Sequence, residues 1–241
     1  MSFSTLADFY DSINGSAYEP YADFLEKSFK LSTIPVKEVL DLGCGTGGIC
    51  AILADRGFDM VGVDISTDML MVARERNLGK NTLLLCQDMC EFELYGTVQA
   101  VYSSFDCLNY ITENKGLKQV FVLVRNYLES GGVFVFDINT EFRYTQILDG
   151  KSFVYETDDN LAVWRSAFDK EEKLCEFEID NFTKLSGNKY IRESETQIQR
   201  LYTHQEIMDF AEGFDLVEQS GGKGFDGCDE AEKTYYVFRK R

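Results

Sequence analysis

Residues 38–54 read EVLDLGCGTGGICAILA, and no other stretch narrows the choice of fold as far. Val39, Leu40 and Leu42 form the short apolar run that a strand buried on both faces needs. Gly43, Gly45, Gly47 and Gly48 then crowd a turn, and Ile49, Ile52 and Leu53 resume at helical spacing. A strand, a glycine-dense turn and a helix start, in that order, gather backbone N–H groups and the positive end of a helix around one point. Without a Cβ in the way, a ligand can lie against the main chain there. The stretch implies a nucleotide-type cofactor site, and the question is which cofactor.

Two patterns overlap on it. Gly43, Gly45 and Gly48 satisfy the dinucleotide pattern G-x-G-x-x-G, with Asp64 about twenty residues on to take ribose hydroxyls. The run Asp41-Leu42-Gly43-Cys44-Gly45-Thr46-Gly47, however, resembles motif I of the class I S-adenosylmethionine-dependent methyltransferases. The resemblance implies that Asp41 ends the first strand and that the glycine turn, through Gly43, Cys44 and Gly45, underlies the methionine portion of S-adenosylmethionine. Met60-Val61-Gly62-Val63-Asp64 then reads as a second strand ending in a carboxylate, followed by Ile65, a Ser66 N-cap and a helix face of Met69, Leu70, Val72 and Ala73. Leu83, Leu84, Leu85 and Cys86 form a third strand running into Gln87-Asp88-Met89. In the resembling family an acidic residue here accepts from the adenine amino group and the next backbone N–H meets the ring, which fits Asp88 and Met89. A dinucleotide dehydrogenase has no general need of that carboxylate. Residues 98–104 make a fourth strand ending at Ser104, and the exit loop Phe105-Asp106-Cys107-Leu108-Asn109-Tyr110 is similar to a D-x-L-N-Y loop that, in the family, touches the methionine end and faces the methyl acceptor. Residues 117–128 follow as an amphipathic helix, and Gly131-Gly132 turns into a fifth strand ending at Asp137; family members often carry Pro where Ser130 stands. Asp41, Asp64, Asp88, Ser104 and Asp137 thus fall at or beside strand C-termini, where ligands of open α/β sheets bind.

The expected fold is α/β, a Rossmann-like, mostly parallel seven-stranded sheet with helices on both faces, an N-terminal helical cap and an inserted antiparallel sheet. Residues 1–35 form the cap: Leu6, Phe9, Tyr10 and Ile13 share one helix face, and Tyr21, Phe24, Leu25 and Phe29 a second. Plain packing on the core accounts for that second stripe. The segment is also similar to the cover helices of small-molecule methyltransferases, which makes Tyr10 and Tyr18 candidates to close over the cofactor. Residues 36–150 are the cofactor-binding core. Residues 151–200 alternate apolar and polar side chains between turn signals at Asp158-Asp159-Asn160 and Ser186-Gly187-Asn188, which predicts three or four antiparallel strands. An inserted sheet of this kind can simply extend the fold; the resemblance implies instead that it walls the acceptor pocket, for which Trp164 and Arg200, and Asn139 and Arg143 just past the fifth strand, are candidate lining residues. Residues 201–241 supply a last helix, opened by the capping box Thr203-x-x-Glu206, and a closing β-hairpin. His204, the sole histidine, sits inside that cap and reads as structural.

A formal net charge of −17 repels a phosphate backbone, so nucleic acid is not expected as a partner. No apolar run approaches the ~20 residues of a membrane helix, and the first residues lack the pattern of a signal peptide. Seven cysteines without a C-x-x-C pair suggest buried free thiols rather than disulfides or a metal site, and a cytoplasmic location. The expected function is methyl transfer from S-adenosylmethionine, with S-adenosylhomocysteine as product, to the nitrogen or oxygen of a small molecule. An NAD-dependent oxidoreductase and a cofactor-binding protein without turnover are the alternatives. Asp106, Tyr110 and Tyr10 lie near the expected methyl, but no catalytic base is assigned among them, and neither the acceptor nor the oligomeric state is fixed by the sequence.

Overall fold

The computed structural model describes residues 10–11, 14–157, 160–187, 189–221 and 230–241. Five strands come first: β1 (Glu38–Leu42), β2 (Asp59–Asp64), β3 (Thr82–Cys86), β4 (Val98–Ser103) and β5 (Leu128–Asn139). Then follow β6 (Ser152–Glu156), β7 (Asn160–Asp169), β8 (Leu174–Ser186) and β9 (Lys189–Arg200), and last β10 (Phe214–Ser220) and β11 (Lys233–Lys240). The helices are α1 (Tyr18–Phe29), α2 (Gly48–Asp55), α3 (Thr67–Arg76), α4 (Asn114–Tyr127) and α5 (His204–Phe210). A seven-stranded sheet runs β10-β11-β5-β4-β1-β2-β3, and β6-β7-β8-β9 form a separate four-stranded sheet. The ladders from β5 to β3 are parallel, whereas β11 lies antiparallel to both β5 and β10.

Alternation along the strands decides which layer each side chain joins. In β5, Phe134 and Phe136 point to one face and meet Phe121 of α4 and Ile207 of α5, while Val133 and Val135 point to the other and meet α1 and α2 through Leu25 and Leu53. β1 is buried on both faces from Val39 onward, as its unbroken apolar run requires. The second sheet turns Ala162, Cys175, Phe177 and Ile179 inward onto Tyr144 and Leu148, and this cluster also takes in Met69 of α3 and the edge of Tyr10. The insert therefore leans over the same end of the main sheet as the cap.

Several sequence readings shift. Leu128 is the first residue of β5, not the last turn of α4, because it pairs with Val98; the ladder then breaks and resumes at Ala100 and Val133. Residues Arg143–Leu148 wind as a π-helix, which no periodicity announced. Cys86 is exposed and Cys90 and Cys107 are half-buried, leaving Cys44, Cys50 and Cys175 as the buried thiols among the described residues. Leu6, Phe9 and Ile13, and the turn residues Asp158, Asp159 and Asn188, lie outside the described residues. Among the described residues no helix is long and apolar enough to cross a membrane, and no group of side chains is arranged to hold a metal ion.

Candidate functional site

The glycine turn after β1 is strapped to β2. Gly43 and Cys44 donate their N–H groups to the Val63 carbonyl at 2.8 and 3.0 Å, and Gly45 donates to Asp64 Oδ2 at 2.8 Å. The other Asp64 oxygen accepts from Ser66 N at 2.8 Å. Burial raises the Asp64 carboxyl above its ordinary range, and the donors from Ser66 and Gly45 pull the other way. Each oxygen retains further acceptor capacity. Gly43 has φ +81°, and a Cβ there would lie 2.1 Å from Cys107 Sγ, so the loop after β4 packs directly on this turn.

Asp41 lies one step deeper and is 1% exposed. Tyr102 donates to its Oδ2 at 2.7 Å and Cys50 at 3.2 Å, whereas Oδ1 has no partner. Burial pushes its carboxyl up to about 7, against the two donors.

The cap is latched onto the same turn. Tyr18 and Thr46 both donate to Asp11 Oδ1, at 2.7 and 2.6 Å, and the Arg76 guanidinium of α3 pairs with Asp11 while donating to the Thr46 carbonyl at 3.0 Å. Although burial opposes ionisation, these contacts hold Asp11 below the ordinary carboxylate range.

Between cap, turn and strand tips lies a cavity of 260 Å³. Every sequence-predicted cofactor residue borders it: Tyr10, Tyr18, Gly43, Cys44, Gly45, Asp64, Ile65, Asp88, Met89 and Ser104. Four of the five polar strand tips do so too, Asp41 included. Asp137 does not. It is fully buried and turned toward Tyr21, which donates at 2.5 Å, and Lys233, at 2.7 Å.

Of the residues expected around an acceptor, Tyr110 alone borders this cavity. Asp106 sits behind it, with its carboxylate accepting from Lys233 Nζ and Gln199 Nε2, each at 2.7 Å, and its N–H donating to Asp137 Oδ2 at 2.9 Å. Burial works against ionisation, yet Lys233 and Gln199 hold Asp106 below the usual carboxylate range. Asn109 and Asn139 form a clasp: Asn109 donates to the Arg200 carbonyl and accepts from Asn139 N, and Asn139 Nδ2 donates to Gln199. Arg143 is closed onto Glu232, Arg200 onto Glu206, and Trp164 packs against Tyr155 on the inner face of the insert. His204 contacts Tyr236 through Nδ1 at 3.2 Å, away from the cavity.

Sequence reasoning missed the partners that arrive from far along the chain. Lys233, Gln197 and Gln199 stand behind the cavity wall, to which Met69 and Ile111 also add beside the exit-loop residues Phe105 and Cys107. Lys233 opens the apolar run of β11, and a lysine at the head of a strand gives no sign that its Nζ will be buried between two carboxylates. Phe105 and Asp106 both take positive φ, 55° and 52°, a conformation that bulky residues adopt only where their surroundings enforce it.

The sequence profile of the methyltransferase domain family matches residues 39–132. YqeM of Bacillus subtilis (strain 168), classed among the methyltransferases, is 30% identical over 222 residues, covering 90% of this chain and 87% of its own. A dTDP-3-amino-3,4,6-trideoxy-alpha-D-glucopyranose N,N-dimethyltransferase of Streptomyces venezuelae is 30% identical over 132 residues, 54% of this chain and 55% of that one. Among solved structures, an S-adenosylmethionine-dependent methyltransferase from Clostridium acetobutylicum ATCC 824 superimposes with a TM-score of 0.85 at 26% identity, covering 99% of this chain and 98% of its own.

Proposed function

This chain belongs to the S-adenosylmethionine-dependent methyltransferase family, and from that premise we propose that it methylates a nitrogen or oxygen of a small molecule held between cap and insert. The observation that carries the reading is the cavity with Asp41 Oδ1 buried at its floor without a partner. A buried acceptor costs stability unless a donor reaches it, and the ammonium of the cofactor's methionine portion is such a donor. Asp64 would hold the ribose hydroxyls, Asp88 and the Met89 N–H the adenine, and the Gly43–Gly45 turn the methionine portion, beneath Tyr10 and Tyr18. When bound, the cofactor supplies a methyl group already activated on a sulfonium.

What the protein adds is alignment and the exclusion of water. The groups flanking the acceptor side are poor bases. Burial raises the phenols of Tyr10 and Tyr110, and Asp106 is spent on Lys233. A small acceptor suits a cavity covered by residues from the cap and bordered by Met69 of the insert's cluster, and the Streptomyces relative is named for N-methylation of an amino sugar. The division into cap (1–35), core (36–150), insert (151–200) and closing segment (201–241), a cytoplasmic location and a partner other than nucleic acid belong to the same proposal.

Calorimetry with S-adenosylhomocysteine and NAD tests it together with a screen of metabolite pools for S-adenosylhomocysteine release. Micromolar binding of the first, none of NAD, and release with a small-molecule pool are expected. Absence of heat with S-adenosylhomocysteine would refute the reading.

A further inference from the structure

Resting on that reading, we propose that Lys233 is a positioning residue for the cofactor site. It holds Phe105 and Asp106 in a left-handed backbone conformation, and that conformation sets the cavity wall between the glycine turn and the cap.

Two consecutive residues other than glycine at positive φ are costly. The left-handed conformation crowds Cβ against the following carbonyl, and chains adopt it at single residues rather than in runs. Aspartate tolerates it better than phenylalanine, whose bulk makes the φ of 55° at Phe105 an outlier. The Asp106 side chain does nothing locally to offset the cost. Asp106 stands at the N-cap of the short 3-10 turn Cys107–Tyr110, where an aspartate normally accepts from a nearby backbone N–H, yet it makes no such bond. Its carboxylate turns instead to Gln199 and Lys233, 93 and 127 residues further along the chain.

One cation reaches both strained residues. Lys233 Nζ donates to Asp106 Oδ1 at 2.7 Å and lies 5.7 Å from the centre of the Phe105 ring, within cation–π range. It donates at 2.7 Å to Asp137 Oδ2 as well, and that oxygen accepts from Asp106 N at 2.9 Å. Asp106 is thus gripped at its N–H by Asp137 and at its carboxylate by Lys233, and the Lys233–Asp137 pair joins the two grips. The Asp137 side chain is fully buried and those of Lys233 and Asp106 are 19% and 18% exposed, so salt and water screen the knot little.

The consequence reaches the cavity. Phe105 and Cys107, on either side of Asp106, both border it, whereas Lys233 does not and acts through them. The Phe105 ring packs on Tyr18 and Tyr21 of the cap, with ring centres 5.8 and 5.1 Å apart, and Cys107 Sγ lies 2.1 Å from where a Cβ on Gly43 would stand. Rotating φ at 105 or 106 back to negative values redirects the chain between these two contacts. The loop cannot relax and keep both.

The test separates backbone conformation from side-chain charge at residue 106, by calorimetry of S-adenosylhomocysteine on the full chain. Asp106→Gly and Asp106→Ala both remove the carboxylate, but only glycine takes positive φ freely. Asp106→Gly should therefore bind S-adenosylhomocysteine about tenfold tighter than Asp106→Ala. Lys233→Met should weaken binding about tenfold, and adding Asp106→Gly should recover most of that loss where adding Asp106→Ala recovers none. A carboxylate needed only for its charge, or for the stability of the fold, would leave glycine and alanine equally poor. Should Lys233→Met fail to fold, the glycine–alanine pair in the otherwise native chain still decides. Equal affinities of the two Asp106 variants overturn the inference, and so does a Lys233→Met loss that Asp106→Gly leaves untouched. Failure of the wild type to bind S-adenosylhomocysteine at all would instead overturn the methyltransferase reading.

Discussion

Asp41 shows what a buried carboxylate at a ligand site costs the fold. The carboxyl of the unfolded chain titrates near 3.9, and burial pushes it up to about 7 in the fold. Between those values the native state binds more protons than the unfolded one, so stability falls as pH rises from about 4 to about 7, then levels off. An asparagine keeps an oxygen for Tyr102 and Cys50 and carries no charge to desolvate. Asp41→Asn should therefore stabilise the ligand-free protein, and by about 2 kcal/mol more at pH 8 than at pH 5.5. The same change should weaken S-adenosylhomocysteine about tenfold or more, because a neutral amide replaces the partner of an ammonium. Urea unfolding at the two pH values and calorimetry check the two halves. A gain that does not grow with pH would show that Asp41 does not carry the cost assigned to it.

Between elements, the cap and the glycine-turn helix meet at one contact. A Cβ on Gly48, the first residue of α2, would sit 2.3 Å from the Tyr18 ring. Gly48→Ala must push α1 outward, and with it the latch of Asp11, Thr46 and Arg76. A stability loss of about 1–3 kcal/mol is expected, with a drop of about tenfold in S-adenosylhomocysteine affinity as Tyr18 leaves the cavity wall. Gly96→Ala, at an exposed site where a Cβ meets nothing, is the control and should change neither. If Gly48→Ala loses stability yet binds normally, the cap is packing and not part of the site. This junction also shows what was readable at the level of elements. The strand, the turn and the helix of the 38–54 stretch are local patterns, and their spacing carried them. The latch is not local, since Asp11 and Arg76 lie 65 residues apart and no periodicity links them. The π-helix Arg143–Leu148 escaped because its register is set by contacts with the insert.

At the scale of the whole chain, a mostly parallel sheet could be inferred because helix-length segments follow most of its strands, leaving few topologies open. Eight of the ten cofactor candidates, all but Tyr10 and Tyr18, met at one cavity for a related reason: strand tips in a parallel sheet share an edge. The acceptor side was not legible in this way. Its polar groups come from β9 and β11, and alternation placed them on faces without naming their partners. Cofactor binding should consequently be felt by all these units at once. Tyr10 and Tyr18 come from the cap, Gly43 to Asp88 from the parallel strands, and Met69 packs against the insert's inner cluster. A ligand at one hundred times its Kd stabilises the native state by about 2.7 kcal/mol, and in a domain of this size each kcal/mol moves Tm by about 2–4 °C. Saturating S-adenosylhomocysteine should thus raise Tm by about 5–10 °C in one cooperative transition, and NAD should not. Two separated transitions, of which only one moves, would mean that the insert melts independently of the site.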